Sequence, residues 1–197
     1  MKNSVQDVRK HILNTAYGII AEKGFSGVGI NEILASSGVP KGSFYYYFGT
    51  KEAFGEALLE EYFDTYLGCI DGILGKRDQS AAARLLSYFT YWAASQSSPN
   101  SNQKCLAVKL GAEVSDLSGI MRAVLENGTR KVIFRLEKTL EEGLRERSLA
   151  FNVEPIQMAE MLYHLWLGAC VRQKMTNDPA YLESTLLMTK NVLSINS

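Results

Sequence analysis

Along almost the whole chain, apolar residues recur every three or four positions, and few segments show the β-branched, alternating pattern of a half-buried strand. That period gathers apolar side chains on one stripe of a helix, and only four prolines interrupt the 197 residues. The expected fold class is all-α. A first helix is expected over 7–23, with Val8, Ile12, Leu13, Ala16, Ile19 and Ile20 inward and Gly24 as its stop. Two short helices follow, 30–35 and 40–48, separated by the tight turn Ser36-Ser37-Gly38-Val39, with Pro40 suited to the first position of the second. Gly49 and Thr50 break the pattern. Thr50 is placed to cap a long helix over 51–74, whose inward positions are Phe54, Leu58, Leu59, Tyr62, Phe63 and Tyr66. Further helices are expected at 79–96, 104–114, 117–147, 154–175 and 180–194, with loops at 97–102 and 177–179.

A 46% apolar composition over this length suffices for a sizeable core. The 21 basic and 21 acidic residues cancel, so any affinity for a polyanion must rest on local clustering. Clustering is present but slight. Residues 1–51 hold six basic side chains (Lys2, Arg9, Lys10, Lys23, Lys41, Lys51) against Asp7, Glu22 and Glu32, a net +3, leaving 15 basic and 18 acidic residues for the remainder. The first residues carry no apolar signal-peptide core, and no stretch of about 18 uncharged apolar residues occurs, so a cytoplasmic protein with no membrane partner is expected. Cys69, Cys105 and Cys170 are odd in number and widely spaced, and the two histidines, His11 and His164, are far apart. No disulfide framework, metal site, cofactor or catalytic constellation is therefore expected.

Two short helices joined by a small-residue turn containing glycine meet the geometric requirement of a helix-turn-helix, whose second helix enters a major groove. Lys41, Gly42 and Ser43 open that second helix, where residues reach base edges and backbone amides meet phosphate. Phe44 and Phe48, one turn apart, are expected to anchor it on the core. Tyr45, Tyr46 and Tyr47 then occupy its other faces, with hydroxyls able to donate to phosphate oxygens. Lys51, at the start of the next helix, is a candidate phosphate clamp. Taken alone, three consecutive tyrosines read as residues half-buried in a small core.

The run from Ser37 through Val39-Pro40-Lys41-Gly42-Ser43-Phe44-Tyr45-Tyr46-Tyr47-Phe48 to Phe54 closely resembles the signature of the TetR family of repressors. The resemblance is strong over 7–70, and the helical remainder agrees with the family's second domain in length and helix order. Gly29 departs from the pattern, since many relatives have threonine there to cap the second helix; glycine is a tolerable cap. The resemblance implies a helix-turn-helix DNA-binding domain over 1–50, a connecting helix over 51–74 and a sensing and dimerisation domain over 75–197. It implies a homodimeric, non-enzymatic repressor on a palindromic double-stranded operator, with half-sites about one helical turn (~34–36 Å) or a multiple apart. The last two helices should form the dimer, and Leu182, Leu186, Thr189, Val192 and Leu193 make a suitable stripe, which a buried face within one chain would explain equally well.

In the second domain, the aromatics Trp92, Tyr163 and Trp166 fit either core or the wall of a ligand pocket. Cys105 sits near a helix start beside Lys104 and one turn from Lys109. There a partly exposed thiol gains thiolate character, whereas a buried one is inert. Cys69 and Cys170, on apolar helical faces, read as inert. The Cys105 segment and Tyr163-His164-Leu165-Trp166-Leu167-Gly168-Ala169 resemble the NemR branch of the family, whose members sense reactive electrophiles and oxidants through a cysteine here. By the same resemblance Lys174 matches a lysine able to stabilise a thiolate or react with an oxidised sulfur. The expected function is operator release on modification of Cys105. The alternatives are induction by a noncovalent hydrophobic small molecule, and a helical enzyme or scaffold without DNA affinity.

Overall fold

The computed structural model describes residues 2–97 and 106–195. Among the described residues are nine helices and no strand: α1 (Lys2–Lys23), α2 (Ile30–Ser37), α3 (Lys41–Phe48), α4 (Lys51–Leu74), α5 (Ala81–Ser97), α6 (Leu106–Leu117), α7 (Gly119–Arg145), α8 (Pro155–Thr176) and α9 (Ala180–Val192). The all-α expectation holds, and the boundaries that differ have local causes. α1 begins at Lys2 rather than residue 7, because its polar opening contains no helix breaker although it lacks apolar periodicity. Pro40 is the extended cap of α3 rather than its first helical residue. α6 runs on to Leu117 because the Ser115 hydroxyl donates back to the Gly111 carbonyl (2.6 Å) and so does not compete with the helix. The break comes at Ser118, whose Oγ accepts from the Met121 amide (3.2 Å) and caps α7.

Gly38 ends α2 in the left-handed region (φ 65°), with its amide on the Leu34 carbonyl (2.9 Å), a conformation open to glycine at little steric cost. Thr50 Oγ1 accepts from the Ala53 amide (3.0 Å), so α4 has the expected cap.

The chain forms two compact units, Met1–Asp64 with Ser98–Gly128, and Thr65–Ser97 with Thr129–Ser197. α4 and α7 are each divided between them. In the first unit, Ile12, Leu13, Ala16 and Ile20 of α1 are buried with Val28, Ile33, Phe44, Phe54 and Leu58, and α6 adds Leu110 and Val114. Val8 and Ile19, expected inward, are half-buried.

The second unit is built on aromatic rings. Phe89 stacks on Trp166 (4.9 Å between centroids), and Trp92 lies 5.8 Å from Trp166 and 5.6 Å from Tyr163. The Trp166 indole donates to Thr189 Oγ1 (3.0 Å), which donates to the Thr185 carbonyl (2.8 Å). Of the two readings of the α9 stripe, this selects the face buried within one chain: Leu182, Thr189 and Leu193 are buried and Leu186 and Val192 half-buried, because that face of α9 packs on α5 and α8. On these two helices the exposed large apolar side chains are Ile156, Met161, Val171 and Met175 of α8 and Leu187 and Met188 of α9. Among the described residues, no helix is long and apolar enough to cross a membrane, and no cluster of His, Cys, Asp and Glu could hold a metal ion.

Charge ties α4, α5 and α7 together in this unit. Arg84, 3% exposed, donates to the Leu74 carbonyl at the end of α4 and to Glu142 Oε2 of α7 (2.7 Å), while Arg77 reaches Glu142 Oε1 (2.9 Å). Arg135 grips both oxygens of Asp71 (2.6 and 2.9 Å). The two arginines hold the Glu142 carboxyl below its ordinary range. Glu142 therefore stabilises the fold above the unfolded carboxylate pKa, and the effect is lost as pH falls from ~4.3 through the lower folded value. Arg84→Met should lower stability at pH 7 by about 3 kcal/mol, chiefly through the orphaned Leu74 and Glu142 acceptors, and flatten the acid limb of a denaturation profile below about pH 4.3. An unchanged acid limb would show that Arg84 does not lower the Glu142 carboxyl in the folded state.

Candidate nucleic-acid interface

α3 has eight residues, of which two face the core. Phe44 is fully buried and Phe48 nearly so; their rings lie 5.2 Å apart and 5.2 and 5.0 Å from Phe54 of α4. Edge and tilted contacts of this kind fix ring positions as well as burying area. With the inward positions settled by the i, i+4 spacing, the remaining side chains turn outward. Lys41 and Gly42 are exposed, Ser43 and Tyr47 half-buried, Tyr45 exposed and Tyr46 76% exposed. The Tyr46 ring meets Tyr47 edge-on (5.1 Å), and the Lys41 ammonium lies 5.9 Å from the Tyr45 ring. The outer face of α3 therefore presents aromatic surface, phenolic hydroxyls and a cation, with the first-turn amides at its head.

Lys51 is placed differently from a simple surface clamp. Its Nζ donates to the Phe25 carbonyl (2.9 Å) and sits 4.7 Å from the Phe25 ring, so part of its hydrogen-bonding capacity holds the turn between α1 and α2. Further contacts link the elements of this unit. His11 Nε2 donates to the Ser37 carbonyl at the end of α2 (2.9 Å), and the Arg9 guanidinium lies over the Phe48 ring (5.6 Å). From α6, the Glu113 carboxylate accepts from the amides of Phe25 (3.2 Å) and Ser26 (2.6 Å), and Lys109 donates to the Glu22 carbonyl (2.9 Å). Burial raises the Glu113 carboxyl, but the Ser26 and Phe25 amides and Lys109 outweigh it and hold the group below the usual carboxylate range. No local sequence signal marks these pairs, which are 87 and 88 positions apart.

Of the candidate sensing residues, Trp92, Tyr163 and Trp166 come together as buried neighbours in the second unit. Lys174 lies exposed in the last turn of α8. Cys105 lies outside the described residues. Cys170 is buried, but Cys69 is exposed on α4, against the expectation of an inert buried thiol, because its helix position points away from Leu67 and Ile70, which are buried.

Residues 12–58 match the family described as bacterial regulatory proteins, tetR family, and residues 81–188 match the tetracyclin repressor-like C-terminal domain. The chain belongs to the TetR family. It is 38% identical over 193 residues to the HTH-type transcriptional repressor NemR of Escherichia coli (strain K12), covering 98% of this chain and 97% of that one. It is 30% identical over 186 residues to the HTH-type transcriptional repressor DhaR of Mycobacterium sp. (strain GP1), covering 94% and 92%. A crystal structure of reduced E. coli NemR superposes with a TM-score of 0.91 at 40% identity, covering 97% of this chain and 99% of that one. The protein is thus a TetR-family transcriptional repressor of the NemR type, and its relatives are regulators rather than enzymes. Regulators of this family bind DNA operators and act as dimers.

The geometry separates structural from surface residues in this TetR head. Lys51→Met should lower thermal stability by about 1–2 kcal/mol, since the Phe25 carbonyl loses a charged donor, while Tyr46→Ala should leave the melting temperature within experimental error. Equal melting temperatures for the two variants would remove Lys51 from the turn-holding role.

Proposed function

We propose that this TetR-family repressor holds a palindromic operator as a homodimer through Lys41, Gly42, Ser43, Tyr45, Tyr46, Tyr47 and Lys51, and releases it when a reactive electrophile or oxidant modifies Cys105. The full-length identity to NemR carries the reading. A crystal structure of E. coli NemR is of its reduced form, which agrees with a redox-sensitive relative. Chain position adds support. Cys105 is next in sequence to Leu106, and Lys109 and Glu113, which hold the α1–α2 turn, follow it at four and eight positions. Addition of the thiolate to an activated C=C bond forms a C–S bond, and the adjacent carbon takes up a proton. The charge and volume at a position four residues before Lys109 are both changed. A 3 kcal/mol bias against the DNA-binding state would lower operator affinity about 150-fold. For the dimer, the exposed Met161, Val171 and Met175 of α8 and Leu187 and Met188 of α9 supply an apolar face.

On the DNA side, Tyr46→Ala should lose affinity for the selected operator by about 1–3 kcal/mol and relax base preference, with a smaller loss on random duplex. Equal losses on both would assign Tyr46 to the phosphate backbone. On the sensing side, the exposed Cys69 would also react, so the test begins from Cys69→Ser. In that background N-ethylmaleimide or a quinone should release operator in a gel shift, and Cys105→Ser should abolish release without changing affinity before treatment. Release that persists in Cys105→Ser rejects the cysteine mechanism. Lys174→Ala is expected to alter the response to oxidant while leaving untreated affinity unchanged.

One observation favours a second reading, a noncovalent inducer. The Trp92 indole N–H is buried without a hydrogen-bond partner among the described residues, inside the aromatic core of the second unit. An unmet buried donor costs roughly 1–3 kcal/mol, and a small hydrophobic molecule bearing a carbonyl would satisfy it. Induction of a cysteine-free variant by such a compound would select this reading.

A further inference from the structure

We propose that Glu113 is a positioning residue for operator recognition, which fixes the angle of the helix-turn-helix by gripping the main chain of the α1–α2 turn. The inference rests on the head's DNA binding and holds whichever way the inducer acts. α1 ends at Lys23 and α2 starts at Ile30, so the turn between them sets the direction in which α2, and α3 after it, leaves α1. Besides the Lys23–Glu32 ion pair (2.5 Å) and the buried Ile33, the short helices carry few anchors of their own. α2 begins at Gly29 with no side-chain cap, and α3 touches the core through two phenylalanines.

The turn is held from outside, by its backbone. Glu113 takes the amides of Phe25 and Ser26, Lys109 the carbonyl of Glu22, and Lys51 the carbonyl of Phe25. A carboxylate bridging two amides is a charge-assisted contact with a defined direction. Its seat is shaped for it. Gly24 has φ +85°, and a Cβ there would lie 2.8 Å from Glu113 Oε2, so a side chain at that position would displace the carboxylate. α6 itself is rooted beside it by Leu110 and Val114, both fully buried. In a dimer facing two half-sites, an error in head angle is made twice, whereas binding to random duplex tolerates it.

Charge alone predicts the opposite. Glu113 places a negative charge in the unit that meets a polyanion, so removing it should tighten binding to any duplex. The two accounts therefore differ in sign. Glu113→Gln keeps the shape but offers one acceptor and an NH2 group where two amide donors converge. Glu113→Asp keeps the charge but is one methylene short. Binding would be measured by fluorescence anisotropy at one fixed salt concentration. The probes are a duplex selected by the wild-type protein from a random pool and an unselected duplex of equal length, with far-UV circular dichroism and dimer mass in parallel. We expect both variants to weaken binding to the selected duplex about tenfold or more, equivalent to ~1.4 kcal/mol, with the unselected duplex unchanged or bound more tightly. Wild-type or tighter binding of the selected duplex by either variant, or equal weakening on both duplexes, overturns the proposal. If Glu113→Gln loses helicity, Glu113→Asp decides by the same comparison.

Discussion

An eight-residue helix does not form in water by its own hydrogen bonds, because nucleation consumes most of what so few residues return. α3 exists because Phe44 and Phe48 are driven into the core beside Phe54, each burial being worth about 1.5–3 kcal/mol. That dependence decides much else. Two inward positions in two turns leave six residues facing elsewhere, and these carry the hydroxyls, the ammonium and the exposed aromatic surface. The triangle of rings fixes the helix about its own axis, so the identity of the outward face follows from the identity of the inward one. α2 has the same problem of length and is held by Ile33 in the core and by His11 on the Ser37 carbonyl.

Rigid placement of two short helices then requires something to fix the turn that precedes them. The structure does this with side chains directed at backbone atoms. Glu113, Lys109 and Lys51 reach the carbonyls and amides of residues 22 to 26, groups that the end of α1 leaves without helical partners. Satisfying them from α4 and α6 makes the start of the head part of the same compact unit as α6 and the first turns of α7. A contact made through the main chain constrains direction whatever the side chains of the turn are, which suits a segment whose work is geometric.

Most of the fold was legible because helical period and breakers are local. Gly24, Gly38 and Gly49 end helices as expected, and Thr50 caps α4. The sorting of α3 into anchoring phenylalanines and outward tyrosines was legible too, since i, i+4 spacing carries it. What was not legible was long-range. The sequence offers Lys51 as a phosphate clamp but carries no sign of its further partner, the Phe25 carbonyl 26 residues earlier. Glu113 and Lys109 carry no local sign of their partners, which only the fold brings to them. The stripe on α9 has the right period for an interface, but period cannot distinguish a face covered by α5 and α8 from one covered by a second chain. Cys69 shows the same limit, because an apolar helix still has an exposed side.

The weak charge of the head bears on how such a repressor is regulated. A net +3 over residues 1–51 gives a single head only modest attraction for phosphate, so one head alone binds loosely. Joining two heads makes the second contact intramolecular, at an effective concentration in the millimolar range for well-matched geometry and near zero for mismatched geometry. Exposed apolar side chains on α8 and α9, with Met175 72% and Leu187 60% accessible, would be an aggregation liability in a lone chain, and pairing two copies would cover them. An inducer acting on a molecule built this way need not break any protein–DNA bond. Under the proposed regulation, loosening the grip on the α1–α2 turn would be enough, because affinity in a two-headed binder is lost when the heads no longer match the spacing of their half-sites.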